Sequence, residues 1–378
     1  MQVKHNFLAP KPILNYIEPL MKELNHLRTE IDSIDNQILK LLSERGKAAK
    51  AIGKIKKENG ASIHSPAREQ SIYDRLSRQN HGPYKDETVL SIFREIISAT
   101  RALEAPLRVS YLGPEATFTH ISAVNHFGSS ATLIPESGIQ NVFAEVEKGH
   151  SDFGVVPIEN STEGVVSHTL DLFLDSPLKI CAEEILRVGH HLLSREDNLK
   201  KIKKIYSHPQ AIAQCRNWLF THLPNVAIRE LESTSLAAKK ASQEKGAGAI
   251  ASELAASHYG IKILQKEIQD QAQNYTRFMI IGNHQPEPTG NDKTSVLFIA
   301  KDQVGILYRI LEPLARAKVN LSKIESRPLK KRAWEYMFFV DLDGHMHNPR
   351  ISKVLEKLKD KCSFFKILGS YPKGRISS

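Results

Sequence analysis

The sequence has few cysteines, and their arrangement suggests neither a cross-link nor a metal site. Three occur in 378 residues, Cys181, Cys215 and Cys362, and they are odd in number and far apart. No CxxC pair is present, so neither a disulfide framework nor a zinc site is expected. Free thiols are typical of a reducing compartment. We therefore expect a cytoplasmic protein whose sites contain no metal.

Long apolar runs and long basic runs are also absent. Residues 1–19 carry charges and prolines instead of an apolar core, which predicts a short, weakly ordered extension and neither a signal peptide nor a membrane span. The net charge is +10, but no five consecutive residues are basic. Nucleic acid and membrane surfaces are therefore not expected as partners, and small acidic substrates fit the charge better. With no GxGxxG after the first predicted strand and no P-loop, no cofactor is expected.

The first segment is dominated by one helical pattern. Apolar residues recur at three- and four-residue steps from Leu20 to Ile55, which predicts an amphipathic helix ending near Glu58. Its length would be roughly 55–60 Å. A domain of this size cannot bury so long a stripe alone, so we expect an intertwined dimer or a higher homo-oligomer. Ser65-Pro66 predicts the start of a second helix, and a third is expected from about Asp86 to Leu103.

Several cations lie beside the apolar stripe of the long helix. Arg45 and Lys56 are eleven residues apart, close to three helical turns, so they share a face. Arg28 lies seventeen residues before Arg45 and points elsewhere. Arg68 and Glu69 fall in the first turn of the second helix, a position that attracts anions. For any one of these residues alone, a solvated surface role is the commoner alternative.

Taken together, these residues resemble the all-helical chorismate mutases. The matching stretches are Leu27-Arg28, Glu44-Arg45, Gly53-Lys54-Ile55-Lys56, Arg68-Glu69 and the region from Glu95 to Glu104. The rearrangement of chorismate to prephenate needs no nucleophile and no proton transfer, only a dicarboxylate held compactly and charge stabilised on an ether oxygen.

The resemblance also implies a role for each matching residue. Arg45, and Arg28 from the other chain, would hold the carboxylates. Lys56 and Glu104 would face the ether oxygen, and Glu69 would bind the ring hydroxyl. The substrate contacts implied are completed by Arg68 and Thr100. Glu104 stands where many members carry Gln, and a carboxyl donates a hydrogen bond there only when it is protonated.

The second segment has a different pattern. Ala105-Pro106 breaks the third helix, and apolar strands, polar loops and helices then alternate, which predicts α/β architecture. Four motifs in this segment resemble those of prephenate dehydratases in order and spacing: Gly113–Phe118, Pro157–Ser161, Glu232–Thr234 and Thr276–Phe278. The resemblance implies two α/β lobes, like those of a periplasmic binding protein, with the substrate in the cleft. Ala116 stands where Gly is commoner and would restrict its loop.

The dehydratase reaction removes a ring hydroxyl and a ring carboxylate together. By resemblance Thr276 lies at the leaving hydroxyl, and because a Thr hydroxyl is a poor acid we favour a hydrogen-bonding role. Arg277 is the candidate for a substrate carboxylate. The further contacts implied are Asn160, Ser161, Ser207, Ser233, Thr234 and Phe278. Glu159 is either an acid or an organiser of its loop, and His190-His191 is expected to be structural or superficial.

The third segment predicts a strand–helix–strand–strand–helix–strand order, the ferredoxin-like topology. Gly305-Ile306-Leu307 and Glu325-Ser326-Arg327-Pro328 resemble the two ligand motifs of ACT domains, which bind L-phenylalanine between two domains. Ile306 stands where Ala is usual, which leaves the fit of the ligand open. The alternative is a dimerisation module without a ligand.

The sequence thus predicts a multidomain chain. Its parts are an extension at 1–19, an all-α mutase domain at 20–105, a dehydratase domain at 106–285 and a regulatory domain at 291–371. The resemblance implies a bifunctional enzyme of phenylalanine biosynthesis that acts on chorismate and prephenate, with L-phenylalanine as effector. Two alternatives are an arogenate dehydratase and a non-catalytic amino-acid-binding regulatory protein.

Overall fold

The structure is a computed structural model that describes part of the chain. It covers residues 11–59, 65–300, 303–329, 335–374 and 376–377, and the side chains of all these except 11–20, 57 and 377. The chain divides into two compact units, residues 1–61 and 62–378. Of the expected N-terminal extension, residues 1–10 lie outside the described part. Residues 11–19 are helical, so the extension predicted at 1–19 is too long.

The first unit contains one long helix, α1 (Lys11–Glu58), of 48 residues. It ends where the periodicity predicted and is about 72 Å long at ~1.5 Å per residue. From Met21 on, where its side chains are described, the large apolar side chains are between 38% and 65% exposed. They are Met21, Leu24, Leu27, Ile31, Ile34, Ile38, Leu39, Leu41, Leu42, Ile52 and Ile55. An apolar stripe of this extent marks an interaction surface. No helix in the described part of the chain is long and apolar enough to cross a bilayer.

The second unit begins with two helices, α2 (Pro66–Gln79) and α3 (Asp86–Glu104). As predicted, Ser65 caps α2, because its hydroxyl accepts a hydrogen bond from the Arg68 N–H. α3 is attached to the segment that follows it, since the buried Arg101 guanidinium donates to the Phe127 carbonyl at 2.6 Å. A Cβ on Gly128 would lie 2.4 Å from the Ser98 Cβ. Such a close approach ties α3 to the α/β part of the chain.

The α/β part builds two separate sheets. In chain order its elements are β1 (Arg108–Leu112), α4 (Phe118–Phe127), β2 (Thr132–Glu136), α5 (Ile139–Glu147), β3 (Phe153–Asn160), β4 (Gly164–Val165), α6 (Ser167–Asp175), β5 (Lys179–Arg187), β6 (His191–Ser194), β7 (Lys204–Ser207), α7 (Pro209–Gln214), α8 (Arg216–His222), β8 (Ala227–Glu230), α9 (Thr234–Gln243), β9 (Ala247–Ala251), α10 (Glu253–Tyr259), β10 (Lys262–Gln265) and β11 (Tyr275–Gly282). The first sheet has the order β5-β11-β3-β1-β2, with β4 beside β3, and the C-terminal strand β16 (Ile376–Ser377) is added next to β5. The second sheet has the order β10-β6-β9-β7-β8. The chain crosses between the sheets after β5 and returns before β11.

The C-terminal part forms a third sheet. Its elements are β12 (Asp292–Ala300), α11 (Ile306–Arg316), β13 (Leu321–Pro328), β14 (Tyr336–Asp343), α12 (Pro349–Lys359), β15 (Cys362–Pro372) and β16 (Ile376–Ser377). Strands β12 to β15 are antiparallel in the order β13-β14-β12-β15, and the order of elements is the predicted one. Apolar residues of one face, such as Phe298 and Val340, form a core with α11 and α12.

The other face of the C-terminal sheet packs on the first sheet. Leu297 and Phe339 lie in one core with Val156 and Met279 of the first sheet. The chain end then adds β16 to the edge of the first sheet, parallel to β5. The C-terminal part therefore shares a hydrophobic core with the α/β part.

Substituting Ala for Gly369 tests this shared packing. A Cβ on Gly369 of β15 would lie 2.2 Å from the Ile180 carbonyl oxygen of β5, and a backbone atom cannot rotate away. We expect Gly369→Ala to destabilise the protein by about 1–3 kcal/mol, the usual cost of overpacking, seen as a lower melting midpoint by circular dichroism. At Gly189 the nearest atom to an added Cβ is 3.6 Å away, so Gly189→Ala is the control, and equal melting midpoints would contradict the packing.

Candidate active site

Thr276, Arg277 and Phe278 follow one another near the start of β11, and their side chains differ in their surroundings. Side chains alternate along a strand, so Thr276 and Phe278 share one face and Arg277 lies on the other. Phe278 is buried in the core with Val109 and Tyr111. It therefore packs the sheet, and the expectation that it contacts substrate is corrected.

The Thr276 hydroxyl is held by Asn160 of the neighbouring strand. The two residues are direct partners in the register of β11 and β3, and Asn160 Nδ2 donates to Thr276 Oγ1 at 2.8 Å. The Asn160 amide has one possible orientation, because its Oδ1 accepts from the backbone N–H groups of Thr162 and Glu163 at 3.0 and 3.2 Å. Since the Thr276 oxygen accepts from Asn160, its own proton is directed elsewhere.

A chain of amides continues from Asn160 to the second sheet. Asn160 Nδ2 also donates to Asn274 Oδ1 at 2.8 Å, and Asn274 Nδ2 donates to Gln214 Oε1 at 3.0 Å. Gln214 belongs to α7 and bonds Thr162 Oγ1 at 3.0 Å. Sequence reasoning missed Asn274, Gln214 and Thr162, although Asn274 and Thr162 stand close to recognised motifs. No local pattern distinguishes Gln214.

His190 completes this chain and is buried. Its Nε2 lies 2.8 Å from Gln214 Oε1, and its ring meets Phe118 edge to face. Burial lowers the pKa of His190 to about 4, so the ring is neutral near pH 7 and donates through Nε2–H. His190 and His191 are both buried, so of the two expected placements the superficial one is wrong.

The loop that holds the first dehydratase-like motif reaches the second lobe. Ala116 has φ of 60°, a left-handed conformation that favours glycine, and it is buried in the core of the second sheet. Ser235 Oγ donates to the Glu115 carbonyl, and Ser252 Oγ donates to the Ala116 carbonyl at 3.3 Å. Ala116 was expected to restrict the backbone of its loop. This loop is the one that contacts the second lobe.

The remaining hydroxyls expected in the cleft have different surroundings. Ser161 Oγ accepts from the Tyr275 N–H at 2.9 Å, beside Thr276. Ser233 caps α9 by accepting from the Leu236 N–H, and Thr234 begins that helix. Ser207 is fully buried, and its hydroxyl donates to the Ile250 carbonyl at 2.7 Å. The expectation that Ser207 contacts substrate is therefore corrected, because its hydroxyl supports the second sheet.

A cavity of about 690 Å³ lies between the two lobes. It is lined from the first lobe by Phe118, Ile121 and Leu186, and from the second by His191, Ser252 and Lys266. No group of three or more His, Cys, Asp or Glu side chains in the described ranges has an arrangement suited to a metal.

Arg277 lies away from the Thr276 face and does not have the role expected of it. Its side chain is 7% exposed and forms ion pairs with Glu183 at 2.5 Å, with Asp341 at 2.6 Å and with Glu159 at 3.0 Å. Asp341 belongs to the C-terminal sheet. Because these acids occupy the guanidinium, the expectation that Arg277 binds a substrate carboxylate is corrected. Glu159 is also paired with Lys323 of the C-terminal sheet.

The mutase-like cations are spread along α1. Arg28 and Lys56 are twenty-eight residues apart on this helix, or about 42 Å at ~1.5 Å per residue. Arg28 is exposed, whereas Arg45 and Lys56 are half-buried. One copy of the helix therefore cannot bring Arg28 and Lys56 to a single small molecule.

The other mutase-like residues lie on α2 and α3. Glu69 Oε1 accepts from Arg101 Nη1 at 2.9 Å, and the side chain of Arg68 is exposed. The Thr100 hydroxyl donates to the Ile96 carbonyl within α3, and Glu104 is the last residue of that helix. Sequence reasoning missed Arg101, which fixes Glu69.

The two ligand-like motifs lie on different elements of the C-terminal part. Gly305 precedes α11 with φ of 73°, and Ile306 and Leu307 form the first turn. The second motif closes β13, at the edge of the sheet, where Ser326 and Pro328 are exposed and Glu325 is half-buried. Arg327 pairs with Asp171 of α6 at 3.1 Å, so this motif touches the first lobe.

Three family models match successive parts of the chain. Chorismate mutase type II matches residues 27–105, prephenate dehydratase matches residues 109–286, and the ACT domain matches residues 294–360.

Whole-length relatives have the same combination of parts. A bifunctional chorismate mutase/prephenate dehydratase of Aquifex aeolicus is 50% identical over 360 residues, covering 94% of this chain and 99% of the relative. One from Stutzerimonas stutzeri is 44% identical, covering 93% and 98%. Among solved structures, the prephenate dehydratase of Arthrobacter aurescens in complex with L-Phe has a TM-score of 0.66 at 35% identity, covering 70% of this chain and 90% of that one. The chain therefore belongs to the bifunctional chorismate mutase/prephenate dehydratase family.

Proposed function

We propose that this protein converts chorismate to prephenate and then prephenate to phenylpyruvate, and that L-phenylalanine inhibits it. The observation that carries the second activity is the Thr276 hydroxyl, which is oriented by Asn160 and joined to the second lobe through Asn274 and Gln214. The family membership supports both activities, and the L-Phe complex of the Arthrobacter aurescens relative supports the effector. The domain divisions remain those predicted from the sequence, at 20–105, 106–285 and 291–371.

The dehydratase reaction breaks two bonds of prephenate. The ring carboxylate leaves as carbon dioxide, its bonding electrons make the ring aromatic, and the ring hydroxyl leaves with a proton as water. Thr276 would donate its hydrogen bond to the departing hydroxyl, where negative charge develops. The N-terminus of α9, at Ser233 and Thr234, would attract a substrate carboxylate through the N–H groups of its first turn. These groups lie on two lobes, which supports a two-lobed cleft.

The mutase reaction would take place between two chains. Arg28 and Lys56 are about 42 Å apart on one helix, yet the family resemblance assigns both to one site. Two copies of α1 that cover each other's exposed apolar stripe would bring Arg28 of one chain towards Arg45 and Lys56 of the other. We therefore propose an intertwined homodimer. Cationic side chains would hold the dicarboxylate in a compact form and stabilise the ether oxygen.

The effector would bind at the ferredoxin-like C-terminal part. Its first motif begins α11, and its second motif ends the edge strand β13. An edge strand offers unpaired backbone groups to a second domain. β13 also contacts the first lobe through Arg327, so a ligand there would favour one arrangement of the dehydratase over another. The proposed site of action is the cytoplasm.

Replacing Thr276 tests the proposed function directly. Removing one donor to a developing charge typically costs about 10²–10³-fold in kcat, so Thr276→Val should supply prephenate from chorismate and form almost no phenylpyruvate. Thr276→Ser retains the hydroxyl and is the matched control. Phenylpyruvate formed from chorismate or from prephenate is measured by absorbance, and phenylalanine formed from arogenate is measured by chromatography. Near-normal prephenate turnover by Thr276→Val would show that Thr276 has no part in the mechanism. A wild-type kcat/KM that is higher for arogenate than for prephenate would show that the protein is an arogenate dehydratase.

Mixing two inactive variants tests the shared mutase site. Arg28→Ala and Lys56→Ala chains should each lose most mutase activity. A heterodimer carries one site with both substitutions and one site with neither, so co-refolded equal mixtures should recover about a quarter of wild-type mutase activity, on a random-exchange estimate for a closed two-fold dimer. Subunit exchange is checked with chains of different mass. If mutase activity does not recover although the subunits exchange, Arg28 and Lys56 do not form a site shared between two chains.

Two substitutions in β13 test the effector site. Glu325→Ala and Ser326→Ala should raise the phenylalanine concentration for half-inhibition of the dehydratase by roughly 5–150-fold, which corresponds to about 1–3 kcal/mol for a lost hydrogen-bond partner, with little loss of kcat. Glu356→Ala removes an exposed acid from α12 and is the control. An unchanged midpoint in both β13 variants would exclude this strand from the phenylalanine site.

A further inference from the structure

A buried cluster of charges joins the dehydratase lobe to the C-terminal sheet. We call it the Arg277 cluster. It comprises Arg277, Glu159 and Glu183 from the first sheet, and Lys293, Lys323, Asp341, Ser295 and Tyr371 from the C-terminal sheet. The side chains of Glu183 and Asp341 are each 1% exposed. The centre of the cluster is therefore shielded from solvent, where the loss of one partner from an ion pair is costly.

The contacts within the cluster cross the boundary between the two parts. Arg277 Nη1 donates to Asp341 Oδ2 at 2.6 Å, and Arg277 Nη2 donates to the Tyr371 hydroxyl at 3.2 Å. Lys293 Nζ donates to Glu183 Oε1 at 2.8 Å, and Lys323 donates to Glu159. Each charged residue of the first sheet is thus bonded to at least one residue of the C-terminal sheet.

The charges of the cluster balance across the boundary. Arg277, Lys293 and Lys323 are cations, and Glu159, Glu183 and Asp341 are anions. The first sheet alone contributes two anions and one cation, and the C-terminal sheet contributes two cations and one anion. Burial alone would raise the pKa of Glu183, but Arg277 and Lys293 outweigh it and hold that pKa below its ordinary value. Neither part could bury its share of these charges alone.

Two members of the cluster are covalent neighbours of the candidate catalytic pair. Arg277 follows Thr276 in β11, and Glu159 precedes Asn160 in β3. Because side chains alternate along a strand, Arg277 and Glu159 anchor the two strands from the side opposite the Asn160–Thr276 hydrogen bond. A shift of either anchor would move the Thr276 hydroxyl relative to the substrate.

We propose that Asp341 and Lys323 of the C-terminal sheet are positioning residues of the dehydratase, acting through Arg277 on Thr276 and through Glu159 on Asn160. The inference rests on the proposed function and deepens it. The C-terminal part then carries a piece of the catalytic framework in addition to its regulatory role. Neither residue touches substrate, so its loss acts on the rate of the chemical step more than on binding.

The experiment compares Asp341→Asn with Asp343→Asn in the full-length chain. Asp343 lies two residues further along β14 and pairs with Lys373 at 2.9 Å. We expect Asp341→Asn to lower the dehydratase kcat about tenfold or more with KM changed less than about threefold, since a 1 Å misplacement can cost ~10²-fold. Asp343→Asn should leave both constants near the wild-type values. Mutase turnover of the same preparations is the internal reference and should be unchanged.

A second pair of variants keeps the test decisive if Asp341→Asn does not fold. Lys323 is less buried than Asp341, so its replacement is better tolerated, and Lys323→Met removes the ion pair with Glu159. Lys373→Met, which removes the pair with Asp343, is its control. Lys323→Met should lower kcat in the same way, with mutase activity retained. Equal dehydratase kcat within either folded pair, or a loss confined to KM, would overturn the proposal. A wild-type chain without prephenate turnover would instead refute the proposed function, so the wild-type rate tells the two failures apart.

Discussion

A buried guanidinium determines how the C-terminal sheet meets the dehydratase lobe. Arg277 is held by Glu159, Glu183 and Asp341 with almost no exposure to water, and taking one partner from such a set typically costs about 3–5 kcal/mol. Two of these acids come from one sheet and the third from another. The sheets must therefore stay in contact for the charge to remain satisfied. The shared apolar core and the added strand β16 reinforce a contact that the charges already require.

The motif around Thr276 shows what a sequence can reveal and where it stops. The order and spacing of the motifs identify the family, and the motif Thr276–Phe278 lies at the start of β11. The role of each residue in the motif depends on whether its side chain faces solvent, the cleft or the core. Residues far away in the chain determine those surroundings. Arg277 was expected at a substrate carboxylate because a guanidinium can bind a carboxylate in bidentate geometry. Its acids lie at positions 159, 183 and 341, and no local pattern connects them.

The long helix is the opposite case, because its structure follows from local periodicity alone. The apolar spacing fixed its type and its end at Glu58, and Ser65-Pro66 fixed the start of α2. The chain of amides from Asn160 to Gln214 could not be found in this way. Asn160 was a candidate from its motif, but only the meeting of β3, β11 and α7 connects it through Asn274 to Gln214. Prediction from the sequence therefore succeeded for elements whose signals are repeated, and failed for contacts that one residue makes with a distant partner.

The shared charge cluster also changes how regulation in this family member has to be studied. A domain that merely reports the effector could be deleted without harm to the enzyme. Here deletion of the C-terminal part would leave Glu183 without Lys293 and Arg277 without Asp341, and would expose the face of the first sheet that Phe339 covers. Loss of dehydratase activity after such a deletion would then say nothing about effector binding. The contacts of β13 suggest instead how effector and catalysis are linked, because Lys323 and Arg327 of that strand both touch the first lobe. A ligand that moves β13 would act on Glu159, and through its neighbour Asn160 on the hydroxyl of Thr276.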